Sequence, residues 1–246
     1  MNGAMGRRFH AVRAPLGLAL ALTAGASQAS QQLEVRSRAA EETPAVRYAR
    51  LDAASCAREL TTRGIPFTPV ETTRGVLAPI RLTGPVRGVS FHGVDAPAKR
   101  ATSPYEILDC RLALALDDFA RILQSRGIRE VVHLSLYRPP AAKGWAPGRI
   151  GGQHAGGLAI DAAAFKKVDG TTLDVDRDFA GRIGDTTCGH AAVQPRTVAS
   201  SELRAIVCAA AEQHLFNVTL TPDFNQKHKN HFHLEVTANV GWFMVR

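Results

Sequence analysis

Residues 151–161 read GGQHAGGLAID, a stretch that sets His154 and Asp161 seven positions apart among glycines and other small residues. A second stretch, residues 228–233, reads HKNHFH and adds three more histidines. A catalytic zinc site needs three protein ligands and one open coordination position, and imidazole and carboxylate groups are suitable ligands. Four histidines and one carboxylate in two short clusters therefore predict a zinc site, with the rest of the chain as its scaffold.

The two stretches also resemble the paired motifs of a known group of enzymes. The first motif is carried by Gly152, His154, Gly157, Ala159 and Asp161, and the second by His231-x-His233. As a pair they resemble the motifs of the LAS-type zinc peptidases, which include D-Ala-D-Ala carboxypeptidases and dipeptidases, murein endopeptidases and hedgehog domains. Over roughly residues 56–236 the chain is more similar still to the bacterial extensin-like C-terminal family, which despite its name is not a plant wall protein.

The resemblance implies a role for each histidine of the two stretches. His154, Asp161 and His233 would be the zinc ligands, and His231 would face the substrate. Because His231 and His233 are two positions apart, both would project to the same face of a strand. His228, in the preceding loop, resembles an active-site histidine of the murein endopeptidases.

An arginine upstream of the first motif is a further candidate. Tyr137-Arg138 resembles a Tyr-Arg pair of these peptidases, in which the arginine steadies the substrate carbonyl or the developing oxyanion. A guanidinium group suits that role because its charge is permanent and its donors form a fixed fork. The alternative is an arginine at a strand end in a surface ion pair.

The chain departs from several relatives at the general base. They carry Glu or Asp three residues before the last ligand, where this chain has Asn230, which cannot accept a proton. The base would then be His231 or His228, with Glu235 as a further candidate because it shares a strand face with His233. Glu235 has an alternative role as a partner that orients a ligand histidine. Gly152 also stands where relatives often carry serine.

These residues suggest three functions. The first is an exported zinc-dependent peptidase, a carboxypeptidase or endopeptidase, that hydrolyses amide bonds in peptidoglycan peptides. The second is a catalytically silent, zinc-containing module that binds the cell wall, as the departure at Asn230 would allow. The third is a disulfide-containing exported domain without a metal.

The N-terminal residues are typical of a signal peptide. Three arginines precede an apolar run over residues 15–26, and residues 27–29 read SQA, a small-x-small cleavage site. The run is too short to span a bilayer comfortably. We predict a signal peptide over residues 1–29, a flexible linker over residues 30–50 and a zinc peptidase-like domain over residues 51–246. Export would place the protein in the bacterial periplasm or outside the cell, without stable membrane insertion.

The charge of the chain bears on its partners. The formal net charge is +8, and the predicted signal peptide carries three arginines and no acidic residue, which leaves about +5. A mild positive excess suits an anionic bacterial wall. Nucleic acid is not an expected partner because no dense basic stripe with interleaved aromatic residues is present. We expect a monomer.

Four cysteines, Cys56, Cys110, Cys188 and Cys208, indicate disulfides in an exported protein. Three connectivities exist for four cysteines. We favour the pairs Cys56–Cys110 and Cys188–Cys208, which join near neighbours along the chain and leave the metal to the histidines.

Hydrophobic periodicity predicts an α+β fold, with a mostly antiparallel central sheet and flanking helices, as in hedgehog domains and D-Ala-D-Ala peptidases. Helices are predicted over residues 51–64, from Ser103 to Gly127 and from Ser201 onward. Strands are predicted over residues 76–82, 86–91, 129–138, 158–165, 216–220 and 231–236. Pro79 would restrict the first of these to a sheet edge. We interpret residues 166–198 as an irregular insertion.

Overall fold

The computed structural model describes residues 42–246. The predicted signal peptide, residues 1–29, and residues 30–41 of the predicted linker lie outside the described residues. None of the described helices combines the length and the apolar character needed to cross a bilayer.

Ten strands occur in the described residues. They are β1 (Phe67–Pro69), β2 (Pro79–Leu82), β3 (Ser90–Gly93), β4 (Leu108–Asp109), β5 (Ile128–His133), β6 (Ala159–Lys167), β7 (Thr172–Asp174), β8 (Val218–Leu220), β9 (Phe232–Glu235) and β10 (Met244–Val245). The main sheet has the order β10-β8-β9-β6-β5-β3, with β7 paired to the second half of β6. The small sheet has the order β1-β2-β4.

Six helices accompany the strands in the described residues. They are α1 (Pro44–Ala49), α2 (Ala53–Thr62), α3 (Pro97–Arg100), α4 (Cys110–Ser125), α5 (Val175–Asp178) and α6 (Val198–Glu212). The predicted α+β class is confirmed. The main sheet is mixed, because β3 pairs with β5 and β8 with β10 in parallel while its other pairs are antiparallel. The small sheet is antiparallel.

Helix α4 forms the centre of the core. Most of its side chains are buried, among them Leu116, Phe119 and Leu123, which recur at helical spacing. Phe119 packs edge-on against Phe165 of β6 and Phe216, with ring centroids 6.5 and 5.7 Å apart. Truncation of such a buried ring typically costs about 3–5 kcal/mol. This helix supports the strands that carry the histidines.

The start of α4 differs from the prediction. Ser103 caps only a 3-10 turn over Pro104–Glu106, and the chain then pairs with β2 as strand β4. Helix α4 begins at Cys110 and is capped by Asp109, whose carboxylate accepts a hydrogen bond from the Arg111 backbone at 3.0 Å. The pairing partner is distant in sequence, so the local capping signal at Ser103 does not set the helix boundary.

The predicted linker also ends earlier than expected. Helix α1 lies within residues 30–50 and begins with Pro44 at a position that needs no N–H donor. Tyr48 is buried, and its hydroxyl group contacts Asp118 of α4 and accepts a hydrogen bond from Arg63 at 2.9 Å. The polar local sequence did not predict this helix, because packing against α4 stabilises it.

Four further predictions need correction. Strand β2 lies between β1 and β4, so Pro79 begins a central strand of the small sheet. The strand predicted over residues 86–91 begins only at Ser90, because Val86 and Val89 pair across a tight turn. The predicted irregular insertion, residues 166–198, includes β7 and α5, and Thr197 rather than Ser201 caps α6.

The favoured disulfide pairing is confirmed. Cys56–Cys110 joins α2 to the start of α4, and Cys188–Cys208 joins the insertion to α6. The Cα atoms are 6.0 and 5.5 Å apart, respectively.

Candidate metal centre

The three predicted ligands meet at one point. Asp161 of β6 lies opposite His233 of β9 in the antiparallel register, and Asp161 Oδ1 is 3.0 Å from His233 Nδ1. His154 reaches the same point from a 3-10 turn, with its Nε2 atom 3.0 Å from Asp161 Oδ1 and 3.2 Å from His233 Nδ1. All three residues are buried. The structure therefore brings together the residues that the motifs predicted.

Hydrogen bonds on the far side of each imidazole ring fix its tautomer. His154 Nδ1 lies 2.8 Å from the carbonyl oxygen of Leu136, which can only accept, so Nδ1 carries the hydrogen and Nε2 a lone pair. His233 Nε2 donates in the same way to Glu235 at 3.3 Å, which leaves the lone pair on Nδ1. Two lone pairs and a carboxylate oxygen therefore face one another. Such a cluster suits a cation at its centre, and two imidazoles with one carboxylate fit Zn²⁺.

The pKa values of this cluster have the same electrostatic cause. Burial opposes ionisation of Asp161, but its contacts with His154, His231 and His233 outweigh burial and hold its pKa well below the ordinary value. Burial would lower the pKa of His233, yet its contacts with Asp161 and Glu235 raise it to about 9. At neutral pH a proton on His233 thus balances the charge of Asp161, and the Nδ1 lone pair becomes available once that proton is lost.

Glycines allow the His154 turn to pack so closely. A Cβ atom on Gly156 would lie 2.2 Å from the carbonyl oxygen of Gly151. Gly157 has a φ of 63°, and a Cβ atom there would lie 2.8 Å from the Asp109 backbone nitrogen. Leu158 then leads directly into β6. The glycine-rich sequence thus brings the turn against the start of α4 and places His154 beside the sheet.

Arg138 lies beside the ligands but is not free. Its guanidinium group contacts Asp161 Oδ2, and its Nε atom donates to Ser135 Oγ at 2.9 Å. Ser135 Oγ is in turn 3.3 Å from Asp161 Oδ2. The Arg138 side chain is 54% exposed and lines the cleft, so it combines the predicted position with an ion pair to a ligand. Sequence analysis missed Ser135, which carries no motif signal.

His231 and His228 flank the ligands. His231 Nδ1 donates to the side chain of Asn230 at 2.8 Å, and its Nε2 atom lies 3.3 Å from Asp161 Oδ1. His228 Nδ1 donates to Asn225 at 2.8 Å, and its ring centroid is 5.3 Å from that of His231. Burial and then the neighbouring His231 and His233 lower the pKa of His228 to about 4.

Of the two roles predicted for Glu235, its contacts match the partner that orients a ligand histidine. Its Oε2 atom orients His233, and its Oε1 atom accepts a hydrogen bond from Thr237 at 2.9 Å. The residue is only 3% exposed. Both oxygens are therefore already engaged, although Glu235 also lines the cleft.

The loop that carries His228 is fastened by a buried ion pair. Asp223 accepts hydrogen bonds from Arg204 of α6 at 3.1 Å and from Thr187 at 2.9 Å. Thr187 precedes Cys188, whose disulfide partner Cys208 lies one helical turn after Arg204. The insertion and α6 thus hold the loop from behind.

Apolar side chains complete one wall of the site, which we call the histidine cleft. They are Val218, Leu220, Phe224, Trp242 and Met244. Gln153, Lys227 and Thr237 also line it. Sequence analysis missed this wall because strand β10 and the residues before it carry no motif. Only their late position, next to the HKNHFH stretch, could have suggested it.

Comparison with known proteins places the chain in a family. Neither curated proteins nor solved structures gave a match. The profile of one family, described as extensin-like protein C-terminus, matches residues 54–246, which include every residue of the histidine cleft. The chain therefore belongs to the extensin-like protein C-terminus family.

Proposed function

We propose that the protein is an exported zinc peptidase related to the LAS-type enzymes, acting on peptidoglycan peptides. The observation that carries this proposal is the convergence of His154 Nε2, Asp161 Oδ1 and His233 Nδ1 within 3.2 Å, with both imidazole tautomers set for metal binding. These three residues would hold the ion. When bound, zinc polarises a carbonyl group and acidifies a water molecule.

His231 is the proposed general base. Its Nδ1–H is bonded to Asn230, so its Nε2 atom carries the lone pair on the side of the ligands. His228 is the second acceptor, since a pKa of about 4 keeps it neutral at neutral pH. An imidazole can therefore take the proton where Asn230 cannot.

Arg138 would orient the substrate. Asp161 and Ser135 fix the direction of its guanidinium group, while more than half of the side chain remains accessible from the cleft. A fixed cation beside the ligands suits a carbonyl oxygen that gains negative charge during amide hydrolysis.

The proposed substrate class rests on the resemblance to the LAS-type peptidases, and the proposed location on the predicted signal peptide and the disulfides. The predicted signal peptide and two disulfides favour an oxidising compartment, the bacterial periplasm or the exterior. The proposed partner is the peptide part of peptidoglycan, an anionic polymer that suits the net positive charge. The protein would act as a monomer, without nucleic acid and without stable membrane insertion.

A catalytically silent wall-binding module is the second candidate. Two observations favour it. Asn230 replaces an acidic base, and Arg138 already has an anionic partner in Asp161. Such a module would bind zinc for structure and peptidoglycan for location.

Two measurements test the proposal. The purified protein should contain about one zinc ion per chain. Incubation of the parent protein with purified peptidoglycan should produce new peptide termini in the peptidoglycan. The control variant His190→Ala, which removes an exposed histidine outside the cleft, should produce them equally. Zinc without any cleavage would favour the silent module, and the absence of zinc would overturn both functions.

A further inference from the structure

A second cavity lies at the β3 edge of the main sheet. It has a volume of about 400 Å³, and we call it the arginine pocket. Its polar lining includes Arg81, Thr83, Ser90, His92, Arg100 and Glu106. The proposed peptidase mechanism uses none of these residues.

The two arginines that line this pocket make no direct contact with a carboxylate of the described residues. Arg81 of β2 and Arg100 at the end of α3 are both partly buried. Their one direct contact is a long hydrogen bond, 3.4 Å, from Arg81 to the backbone oxygen of Arg100. The Nε atom of Arg100 is buried and has no acceptor. Among residues 42–246, neither guanidinium group forms an ion pair with a carboxylate, and buried donors without acceptors are rare.

Glu106 is the one acid that lines the pocket, and its oxygens face other groups. Oε1 accepts a hydrogen bond from the Gly93 backbone at 2.8 Å, and Oε2 faces His133 at 3.2 Å. Burial lowers the pKa of Arg81, and the more distant charge of Glu106 opposes that effect. Two cations therefore share one carboxylate that is already engaged, and the pocket keeps an excess of N–H donors.

We propose that the arginine pocket binds a small oxyanion, a phosphate or carboxylate group, between Arg81 and Arg100. A guanidinium group presents paired N–H donors that match two oxygens of such an anion. An anion there would balance the charge of the two guanidinium groups, and the hydroxyl groups of Thr83 and Ser90 are further donors on the pocket wall. This site is independent of the histidine cleft and of the proposed peptidase activity.

Nuclear magnetic resonance provides a direct test. The Nε–H signals of the arginines are followed while inorganic phosphate or acetate is added to the full folded protein at constant ionic strength. The signal of Arg100 should shift and saturate. A larger response to phosphate identifies a phosphate group as the ligand, and a larger response to acetate identifies a carboxylate group.

Variants make the test specific. Arg81→Ala and Arg100→Gln should each weaken binding by roughly tenfold or more, since each removes charged hydrogen bonds. Arg100→Gln changes the end of a short, largely exposed helix, so this variant should fold even if Arg81→Ala does not. Arg58→Ala is the matched control, because Arg58 is exposed and bonded only to Ser55. No saturable shift, or equal binding by Arg100→Gln and Arg58→Ala, would overturn the proposal.

Discussion

The histidine cleft and the arginine pocket lie toward opposite ends of the same sheet and have opposite chemistry. In the histidine cleft, lone pairs of His154 and His233 and a carboxylate oxygen of Asp161 face one another. In the arginine pocket, Arg81 and Arg100 line a cavity whose one lining acid, Glu106, already faces other groups. The first arrangement suits a cation and the second an anion.

The difference shows that residue type alone does not define a ligand site. His92 and Glu130 are also a histidine and a carboxylate, 3.1 Å apart, but Glu130 already has a cation, because Lys166 Nζ lies 3.0 Å from the same oxygen. The histidine cleft differs because two imidazoles, those of His154 and His233, converge on one oxygen of Asp161. The polar groups that have no partner within the protein determine which ligand a site can bind.

The largest expected effect is loss of the metal. His154→Ala, Asp161→Ala and His233→Ala should each abolish stoichiometric zinc binding, because the site has only three protein ligands. Arg81→Ala should keep about one zinc per chain, since it changes only the arginine pocket. Metal analysis of the four purified variants decides this. One zinc ion per chain in all three ligand variants would show that the histidine cleft is not the zinc site.

The next largest effect concerns the rate of hydrolysis. His231→Ala should keep zinc and lose activity by roughly 100- to 10,000-fold, the usual contribution of general acid–base catalysis. His228→Ala should be less severe, and Asn230→Ala milder than either. Zinc content and cleavage of a peptidoglycan fragment are measured together. The assignment of the base is wrong if Asn230→Ala is the most damaging of the three.

A smaller effect is expected at the residue behind a ligand. Glu235→Gln removes the charge that raises the basicity of His233 and should weaken zinc binding by roughly 10- to 100-fold. Glu130→Gln is the matched control, because it removes the carboxylate partner of His92 near the other cavity. Competition with a chromogenic chelator measures both affinities. Equal zinc affinity in the two variants would contradict the role of Glu235.

The last expected effect, similar in size to that of Glu235→Gln, is a dependence of zinc affinity on pH. In the metal-free protein the pKa of His233 is raised to about 9, so the residue is protonated at pH 7 and must lose that proton to bind zinc. Affinity should therefore rise by up to about tenfold per pH unit from pH 7 to 9 and then level off. Calorimetry in buffers of different ionisation enthalpy should detect one proton released per zinc at pH 7. Phosphate binding in the arginine pocket should show no such proton release.

Several features could be predicted from local sequence. The apolar period around Phe119 predicted α4, the cysteine spacing favoured the two disulfides, and the alternation of His231 and His233 placed both on one strand face. The helical and strand patterns depend on neighbours within a few residues, so they can be read without knowledge of the fold. The disulfide pairing depended instead on the order of the four cysteines along the chain. Helix α1 and strand β4 escaped prediction because distant pairing and burial stabilise them.

The sequence by itself determined the ligand types of the histidine cleft, because the glycine-rich turn and the two short histidine stretches are local patterns. Only the tertiary structure decided that Leu136 and Glu235 fix the tautomers and that Arg138 contacts Asp161. It alone brought Arg81 and Arg100 together, from a strand and a short helix that no motif connects. The physical reason is that a charge or lone pair remains unmatched only after the whole fold has assigned every nearby partner.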